Sequence, residues 1–367
     1  MTGSERFMAR ALELAARGLG RTFPNPPVGA VLVRHGRIVG EGYHTRAGAA
    51  HAEVEALRAA GRRARGATLY VTLEPCTHHG RTPPCIEALL PVGLRGVVVA
   101  IPDPNPRVRG RGIAALRRAR VPVVVGPGAA ESRRLTAGYR SLIVRRRPLV
   151  TLKLAASLDG RIAVAKAGRH EWITGAPARR LVHALRDISD AVLVGAGTVR
   201  ADDPRLTCRL PGGRSPLRIV LAGPRLALPR RAQVLAKGGP PTWVVAPVGT
   251  KPGAVAGLRG RGVEVLLLPA RRGRVRFPAL LRALGARGLT SLLIEGGGTV
   301  AGEALRARAV DRLVLFMAPV LVGEEGVPAI GPLGVRRIAR AVRVDDLAVA
   351  RVGQDLVLEA RVRYPRA

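Results

Sequence analysis

Cysteines, aromatic residues and long apolar runs are all in short supply in this chain of 367 residues. Three cysteines are too few for the disulfide framework of a small secreted protein, so we expect a reducing, cytoplasmic location. No apolar run reaches the ~20 residues that span a membrane, and the first residues lack the apolar core of a signal peptide. The sequence therefore predicts a protein with neither disulfide bonds nor a membrane partner.

The positive charge of the chain needs a separate explanation. A net charge of +36 would suit nucleic-acid binding, because dense cationic charge attracts phosphate backbones. However, only four of the 61 basic residues are lysine, and the arginines are spread along the chain, which favours a compositional bias. Aromatic residues make up 3% of the chain, too few to build a stacking platform for single strands. We therefore expect no nucleic-acid partner. The positive electrostatic field of the protein should instead attract small anionic substrates.

One imidazole, two thiols and a further carboxylate form the most informative pattern, in His51-Ala52-Glu53, Pro75-Cys76 and Cys85. Imidazole and thiolate groups suit zinc, and three protein ligands leave one coordination position for water, as in catalytic sites. Residues two apart on a helix point about 200° away from each other, so we do not expect Glu53 to share the metal with His51. The sequence predicts zinc bound by His51, Cys76 and Cys85, with Glu53 as the catalytic acid–base residue.

The length of the chain, and its 47% of hydrophobic residues, favour two domains with real cores. Alternating helix and strand patterns run through both halves, and the run Arg145-Arg146-Arg147-Pro148 interrupts them. We predict two domains, over residues 1–146 and 147–367, the first of which carries the zinc pattern. In the first half the spacing predicts a helix over 4–18 and a hairpin over 28–43. Residues 224–290 carry no readable motif.

The zinc pattern resembles the zinc deaminase signature H-x-E followed by P-C-x-x-C, except that eight residues rather than two separate the cysteines. The stretch 72–85 resembles the deaminase half of the bifunctional deaminase–reductases of riboflavin biosynthesis, and the segments 24–26 and 103–106 also agree with that family. The resemblance implies a cytidine-deaminase-like three-layer α-β-α sandwich. It further implies that the deaminase substrate is held by Asn25, His44, His78, Arg81, Asp103 and Asn105.

Four passages of the second half resemble the reductase half of the same family: 153–160, 172–174, 201–207 and 294–298. They imply a dihydrofolate-reductase-like α/β domain that binds NADPH. The implied reductase substrate residues are Lys153, His170, Arg186, Asp202, Leu206, Arg209 and Glu295. Of these, Arg186 and Arg209 would bind the phosphate of the substrate. The implied cofactor residues are Ala156, Trp172, Thr198, Asp202, Gly297, Gly298 and Thr299.

Several of these residues have simpler interpretations that the sequence leaves open. The glycines at 296–298 can form a plain turn, as can Asp202 with the two residues after it. Arg186 can be a solvated helix residue, and Trp172 can belong to a core. His170 stands where the family usually has a small serine, so the substrate contact at that position is open, because a histidine is bulkier and can become charged.

The function that the resemblance implies is a pair of consecutive steps in riboflavin biosynthesis. Zinc-dependent hydrolytic deamination of 2,5-diamino-6-ribosylamino-4(3H)-pyrimidinone 5′-phosphate comes first. NADPH-dependent reduction of the ribosyl chain then gives 5-amino-6-(5-phosphoribitylamino)uracil. The expected partners are this small phosphorylated pyrimidine and further copies of the chain in a homo-oligomer. Two alternatives remain open: a nucleoside or nucleic-acid deaminase with an unrelated C-terminal domain, and a zinc-stabilised RNA-binding protein.

Overall fold

The computed structural model describes residues 3–164 and 171–365. It divides into two compact units, Met1–Arg147 and Pro148–Ala367. The division lies one residue later than the sequence pattern indicates. Within the described part of the chain, no helix is long and apolar enough to cross a bilayer.

The first unit is built on a five-stranded sheet with the order β2-β1-β3-β4-β5. Its strands are β1 (Gly29–Arg34), β2 (Arg37–Tyr43), β3 (Thr68–Val71), β4 (Gly96–Val99) and β5 (Val123–Val125). Its α-helices are α1 (Gly3–Ala16), α2 (Ala52–Ala60), α3 (Cys85–Leu89), α4 (Arg111–Arg118), α5 (Ala129–Leu135) and α6 (Ala137–Arg145). β1 pairs antiparallel with β2 and β3, while β3, β4 and β5 run parallel. The predicted hairpin and the predicted first helix are therefore present.

Two hydrophobic cores lie on opposite faces of this sheet, because neighbouring residues of a strand point to opposite sides. α1 packs its apolar side chains, Phe7 and Met8 among them, on the face that carries Val31. α2 packs its alanines on the other face, beside Leu32 and Leu69. The result is the predicted three-layer α-β-α sandwich.

The close approach of α2 to the sheet depends on glycine in β2. A Cβ atom at Gly42 would lie 2.4 Å from the carbonyl oxygen of Ala52, and one at Gly40 would lie 2.3 Å from that of Ala56. Because real Cβ atoms do not approach that closely, any side chain at either position would push α2 outward. These glycines therefore fix the start of α2, where His51 and Glu53 lie.

The second unit is built on a nine-stranded sheet with the order β11-β10-β9-β8-β14-β6-β15-β18-β17. The strands of this sheet are β6 (Leu149–Ser157), β8 (Ala191–Gly195), β9 (Leu217–Leu221), β10 (Thr242–Pro247), β11 (Glu264–Leu268), β14 (Ser291–Ile294), β15 (Arg312–Ala318), β17 (Arg343–Val352) and β18 (Asp355–Arg363). Two further two-stranded sheets pair β7 (Arg161–Val164) with β16 (Gly326–Pro328), and β12 (Ala270–Arg271) with β13 (Arg274–Val275). The helices are α7 (Ala176–Asp187), α8 (Ala196–Asp202), α9 (Pro252–Arg259), α10 (Phe277–Ala286) and α11 (Gly298–Arg306).

The pairing within this large sheet sets the position of the second site. The strands from β11 to β15 in the sheet order run parallel, and β18 and β17 add an antiparallel edge. All five residues of β8 are buried, as expected for a central parallel strand. Ligands of open α/β sheets bind beyond the carboxyl ends of such strands. The passages at 201–207 and 294–298 follow β8 and β14 at that edge.

Candidate active sites

The three predicted metal ligands converge where β3, α2 and α3 meet. His51 Nδ1 lies 3.1 Å from Cys85 Sγ and 3.5 Å from Cys76 Sγ, and the two sulfurs are 3.5 Å apart. His51 is the N-cap residue of α2, and Cys85 is the first residue of α3. One nitrogen and two sulfurs at this spacing fit a zinc ion and leave room for a fourth ligand that is not protein.

The surroundings of the cluster favour the metal-binding forms of its ligands. The Cys85 side chain, the backbone N–H of Cys85 at 3.3 Å and His51 together lower the pKa of Cys76 despite its burial, which favours the thiolate. His51 Nε2 lies 3.3 Å from Thr82 Oγ1, so that nitrogen can donate its hydrogen while Nδ1 faces the sulfurs. Thr82 was not predicted from the sequence, because a single hydroxyl in a loop carries no pattern.

Glu53 is the second residue of α2, the helix that begins after the predicted ligand His51, and it is 3% exposed. Burial, together with the negative charge of Cys76, raises the pKa of its carboxyl above the ordinary range. Its carboxyl also lies against Cys85. A buried carboxyl with a raised pKa, next to a metal cluster, is suited to accept and return a proton.

Two groups of predicted substrate residues stand near this cluster. The ring centroids of His44 and His51 are 5.1 Å apart. His44 Nδ1 donates to the carbonyl of Ala50 at 3.1 Å, which leaves Nε2 to accept from the Asn25 amide at 3.1 Å. Burial lowers the pKa of His44, in agreement with this neutral form.

The second group lies after β4. Asp103 Oδ1 accepts the backbone N–H of Asn105 at 2.8 Å and the hydroxyl of Tyr139 at 3.1 Å. Burial raises the pKa of Asp103 to about 6. Of the remaining two predicted residues, His78 has a buried Nδ1 with no partner among the described residues, and Arg81 is exposed on the loop between the cysteines.

A cavity of about 1770 Å³ opens at the carboxyl ends of β6, β8 and β14 in the second unit. It is lined by most of the predicted reductase residues, namely Lys153, Trp172, Arg186, Thr198, Asp202, Leu206, Arg209, Glu295, Gly297, Gly298 and Thr299. Ala156, which is 2% exposed in β6, is not among the lining residues. His170 lies outside the described residues.

The two arginines predicted to bind the phosphate have different environments, because only Arg186 forms a buried ion pair in the cavity. Arg186 donates from Nε and Nη2 to the two carboxylate oxygens of Glu295, at 2.6 and 2.7 Å, and from Nη1 to the carbonyl of Thr207 at 3.0 Å. Burial opposes ionisation of Glu295, but Arg186 and Lys153 lower its pKa overall. Arg186 is thus committed to Glu295 and is not a solvated residue, while Arg209 is exposed on the cavity wall.

The glycines between β14 and α11 form a tight cradle. A Cβ atom at Gly298 would lie 2.2 Å from the carbonyl oxygen of Pro328, and one at Gly296 would lie 2.9 Å from Val194 Cα. Gly297 has φ +58°, which favours glycine. The segment is therefore more specific than a plain turn, and it presents the N-terminus of α11 to the cavity, as sites for phosphate groups do.

Three further lining residues bear on the sequence interpretations. Trp172 is 61% exposed, with the Arg179 guanidinium 5.2 Å from its ring centroid, so the core interpretation is wrong. Asp202 is the last residue of α8 rather than part of a simple turn. His183 on α7 also lines the cavity and was not predicted, since a single histidine on an amphipathic helix has no distinctive pattern.

Comparison with known families covers most of the chain. Residues 1–101 match the cytidine and deoxycytidylate deaminase zinc-binding region, and residues 148–358 match the RibD C-terminal domain. The second match alone spans more than half of the chain.

Individual proteins give the same result over nearly the full length. The riboflavin biosynthesis protein RibD of Aquifex aeolicus is 43% identical over 355 residues, which cover 96% of this chain and 97% of that protein. The RibD protein of Escherichia coli K12 is 41% identical over 367 residues, covering 96% and 98%. Among solved structures, Acinetobacter baumannii RibD superposes with a TM-score of 0.87 at 38% identity, covering 98% of this chain and 99% of that one.

A second solved structure is similar to the same extent. It is the diaminohydroxyphosphoribosylaminopyrimidine deaminase/5-amino-6-(5-phosphoribosylamino)uracil reductase of Thermotoga maritima, with a TM-score of 0.84 at 36% identity and 98% coverage of both chains.

Proposed function

Because the chain belongs to the RibD family of riboflavin biosynthesis, and is thus a bifunctional enzyme with a zinc-binding deaminase domain and a reductase domain, we propose its substrates and the role of each residue. The first domain removes the 2-amino group of 2,5-diamino-6-ribosylamino-4(3H)-pyrimidinone 5′-phosphate. The second reduces the ribosyl chain of the product to give 5-amino-6-(5-phosphoribitylamino)uracil. The observation that carries this proposal is the cluster of His51, Cys76 and Cys85 beside the buried Glu53.

Hydrolytic deamination replaces a C–NH₂ bond by C=O and releases ammonia, so one group must move protons between water, ring and leaving group. When bound by His51, Cys76 and Cys85, zinc supplies the Lewis acidity that brings the pKa of water toward about 7. Glu53 takes the proton of the attacking water and returns protons to the ring nitrogen and the departing amine. Burial beside the cluster and a raised pKa support this double role.

The remaining groups of the first site bind the substrate. We assign the pyrimidine ring and ribose to Asn25, His44, His78, Asp103 and Asn105, and the phosphate to Arg81. The neutral, hydrogen-bonded form of His44 supports this assignment, because a fixed tautomer gives the ring a defined partner. Exposure of Arg81 on a loop beside the cluster suits a phosphate that projects toward solvent.

In the second site the protein orients a nicotinamide against the sugar carbon C1′ and supports the charge that moves. NADPH, when bound, supplies the hydride. The cavity of about 1770 Å³ supports simultaneous binding of cofactor and substrate, since a typical single-ligand pocket has roughly 300–1,000 Å³. We assign the cofactor to the glycine cradle, Thr198 and Trp172, and the substrate phosphate to Arg209. Lys153, Asp202 and Glu295 are the polar groups that support proton transfer.

We further propose a cytoplasmic homo-oligomer. The edge strand β17 carries exposed apolar side chains at Val344, Leu347 and Val349, which are 41%, 55% and 58% exposed. An exposed apolar edge strand is a ready surface for pairing with a second copy. Three free cysteines are compatible with a reducing compartment.

The decisive experiment is a coupled assay on the zinc-loaded chain with the diaminopyrimidinone ribotide, following ammonia and NADPH separately. We expect ammonia release without NADPH, and NADPH oxidation only after deamination. Ammonia without NADPH oxidation would remove the reductase substrate assignment. A zinc-loaded chain that releases no ammonia would contradict the proposed deaminase substrate, and nucleosides and RNA would then be tested.

A further inference from the structure

Glu74 lies between β3 and the metal ligand Cys76, and it is 3% exposed. Its carboxylate accepts four backbone N–H bonds, which come from Asp103, Gly110, Gly112 and Ile113. The four N···O distances lie between 2.9 and 3.1 Å. Because all four donors belong to the segment 103–113, one side chain fixes both ends of that segment.

Electrostatics strengthen the contact between the Glu74 carboxylate and the segment 103–113. The carboxylate faces the first N–H groups of α4, where the helix dipole favours negative charge. Bonds from N–H groups to a charged acceptor are also stronger than neutral ones. The backbones are in direct contact as well, since a Cβ atom at Gly112 would lie 2.2 Å from the carbonyl oxygen of Pro75. The peptide next to Cys76 and the start of α4 therefore hold each other in place.

The segment that Glu74 fixes carries two of the assigned substrate residues. The backbone N–H of Asp103 is itself one of the four donors. The Asp103 side chain then accepts the N–H of Asn105 at 2.8 Å and the hydroxyl of Tyr139 at 3.1 Å. A continuous series of hydrogen bonds thus joins Glu74 to both Asp103 and Asn105.

We propose that Glu74 is a positioning residue for deamination, which holds Asp103 and Asn105 at a fixed place relative to the ligand Cys76. The pyrimidine ring is then presented to the metal cluster in one orientation. This inference rests on the proposed substrate roles of Asp103 and Asn105. Glu74 acts through the four backbone N–H groups that it accepts, in contrast to the proton-transferring Glu53.

The test is Glu74→Gln in the full zinc-loaded chain. Glutamine keeps one acceptor oxygen but turns its NH₂ group toward backbone N–H donors, so two of the four bonds are lost. We expect the KM of deamination to rise about tenfold or more, the scale of a lost bond to a charged group, with a smaller fall in kcat. Zinc content and NADPH oxidation with the deaminated substrate should stay unchanged. Glu131→Gln, an exposed carboxylate in the first turn of α5, is the matched control.

Other outcomes would contradict either the role of Glu74 or the proposed function. Unchanged KM in Glu74→Gln would overturn the proposal, and so would loss of zinc, which would make Glu74 a support of the ligand loop only. If that variant does not fold, Glu74→Asp, which keeps the charge but shortens the reach, replaces it, and an unchanged KM there would overturn the proposal too. Absence of ammonia release from the unmodified chain would instead contradict the proposed function itself.

Discussion

Glu53 and Glu55, two carboxylates of α2, have different environments, and this difference indicates which of them can act in catalysis. Glu53 has a raised pKa from burial and from the charge of Cys76. Glu55, on the same helix, forms an exposed ion pair with Arg58 at 2.8 Å. Since Glu53 is buried beside the metal ligands while Glu55 is held in an exposed ion pair, Glu53 is the one placed to transfer protons.

Glu53→Gln should therefore retain zinc and lose deamination by at least about 100-fold, the usual contribution of a general acid–base residue. Ammonia release and zinc content of the purified variant measure the two effects. Glu55→Gln, the control on the same helix, should behave like the unmodified chain. A Glu53→Gln variant with full activity would remove Glu53 from the mechanism.

The two arginines of the reductase cavity also differ by environment. Arg186 uses three N–H groups on Glu295 and Thr207, so its guanidinium mainly orients a buried carboxylate. Arg209 is exposed on the wall, where a phosphate can reach it. Guanidinium groups bind phosphate with two parallel hydrogen bonds.

Arg209→Ala should weaken binding of the reductase substrate by about 10-fold to 100-fold, the range for a hydrogen bond to a charged group. NADPH affinity should not change. Fluorescence titration with NADPH and the KM for the phosphorylated substrate separate the two. Arg230→Ala, an exposed arginine outside the cavity wall, is the control. Equal loss of both affinities would contradict the assignment of Arg209 to the substrate phosphate.

The sequence could predict the metal cluster because ligand chemistry is carried by residue type and order. It could not predict Thr82, Tyr139 or Glu74, since their roles depend on hydrogen bonds between residues that are far apart in the chain. Glu74, for example, bonds to Gly112, 38 positions later. A glutamate before Pro-Cys gives no sign of those partners.

At the scale of elements, strands with strongly apolar patterns were predictable and short polar helices were not. β1 and β2 lie within the predicted hairpin over 28–43, since runs of β-branched residues on either side of a turn are distinctive. The short helices α5 and α8 were not predicted, because a helix of about two turns is too short to show a clear periodicity of apolar residues. The motif-free region 224–290 supplies β10 and β11, which extend one edge of the large sheet, together with the helices α9 and α10.

Gly298→Ala tests the glycine cradle at the start of α11. The added methyl group would clash with the carbonyl of Pro328, and overpacking of this kind typically costs about 1–3 kcal/mol, or about 5-fold to 150-fold in an equilibrium. We expect weaker NADPH binding within that range, measured by fluorescence titration. Gly257→Ala in α9 has open space around its Cβ and should leave binding unchanged. Normal NADPH affinity in Gly298→Ala would place the cofactor away from α11.

At the scale of the whole molecule, each unit has its own hydrophobic cores. The buried residues of two clusters in the first unit lie between Phe7 and Tyr139, and those of two clusters in the second lie between Ala178 and Val357, with Ala155 packed against one of them. The metal ligands all belong to the first unit, and the reductase cavity is lined by residues from Lys153 onward. The two activities should therefore depend on different cofactors and fail separately.

Removal of zinc from the intact chain with a chelator should abolish ammonia release and spare reduction. The physical reason is local: the residues that would hold the ion, His51, Cys76 and Cys85, all belong to the first unit, while the ion pair of Glu295 with Arg186 belongs to the second. NADPH oxidation should be measured with the already deaminated ribosylaminouracil phosphate, before and after chelation, and ammonia release after zinc is added back. Loss of NADPH oxidation together with the zinc would show that the reductase depends on the first unit, contrary to the separate cores and separate sites.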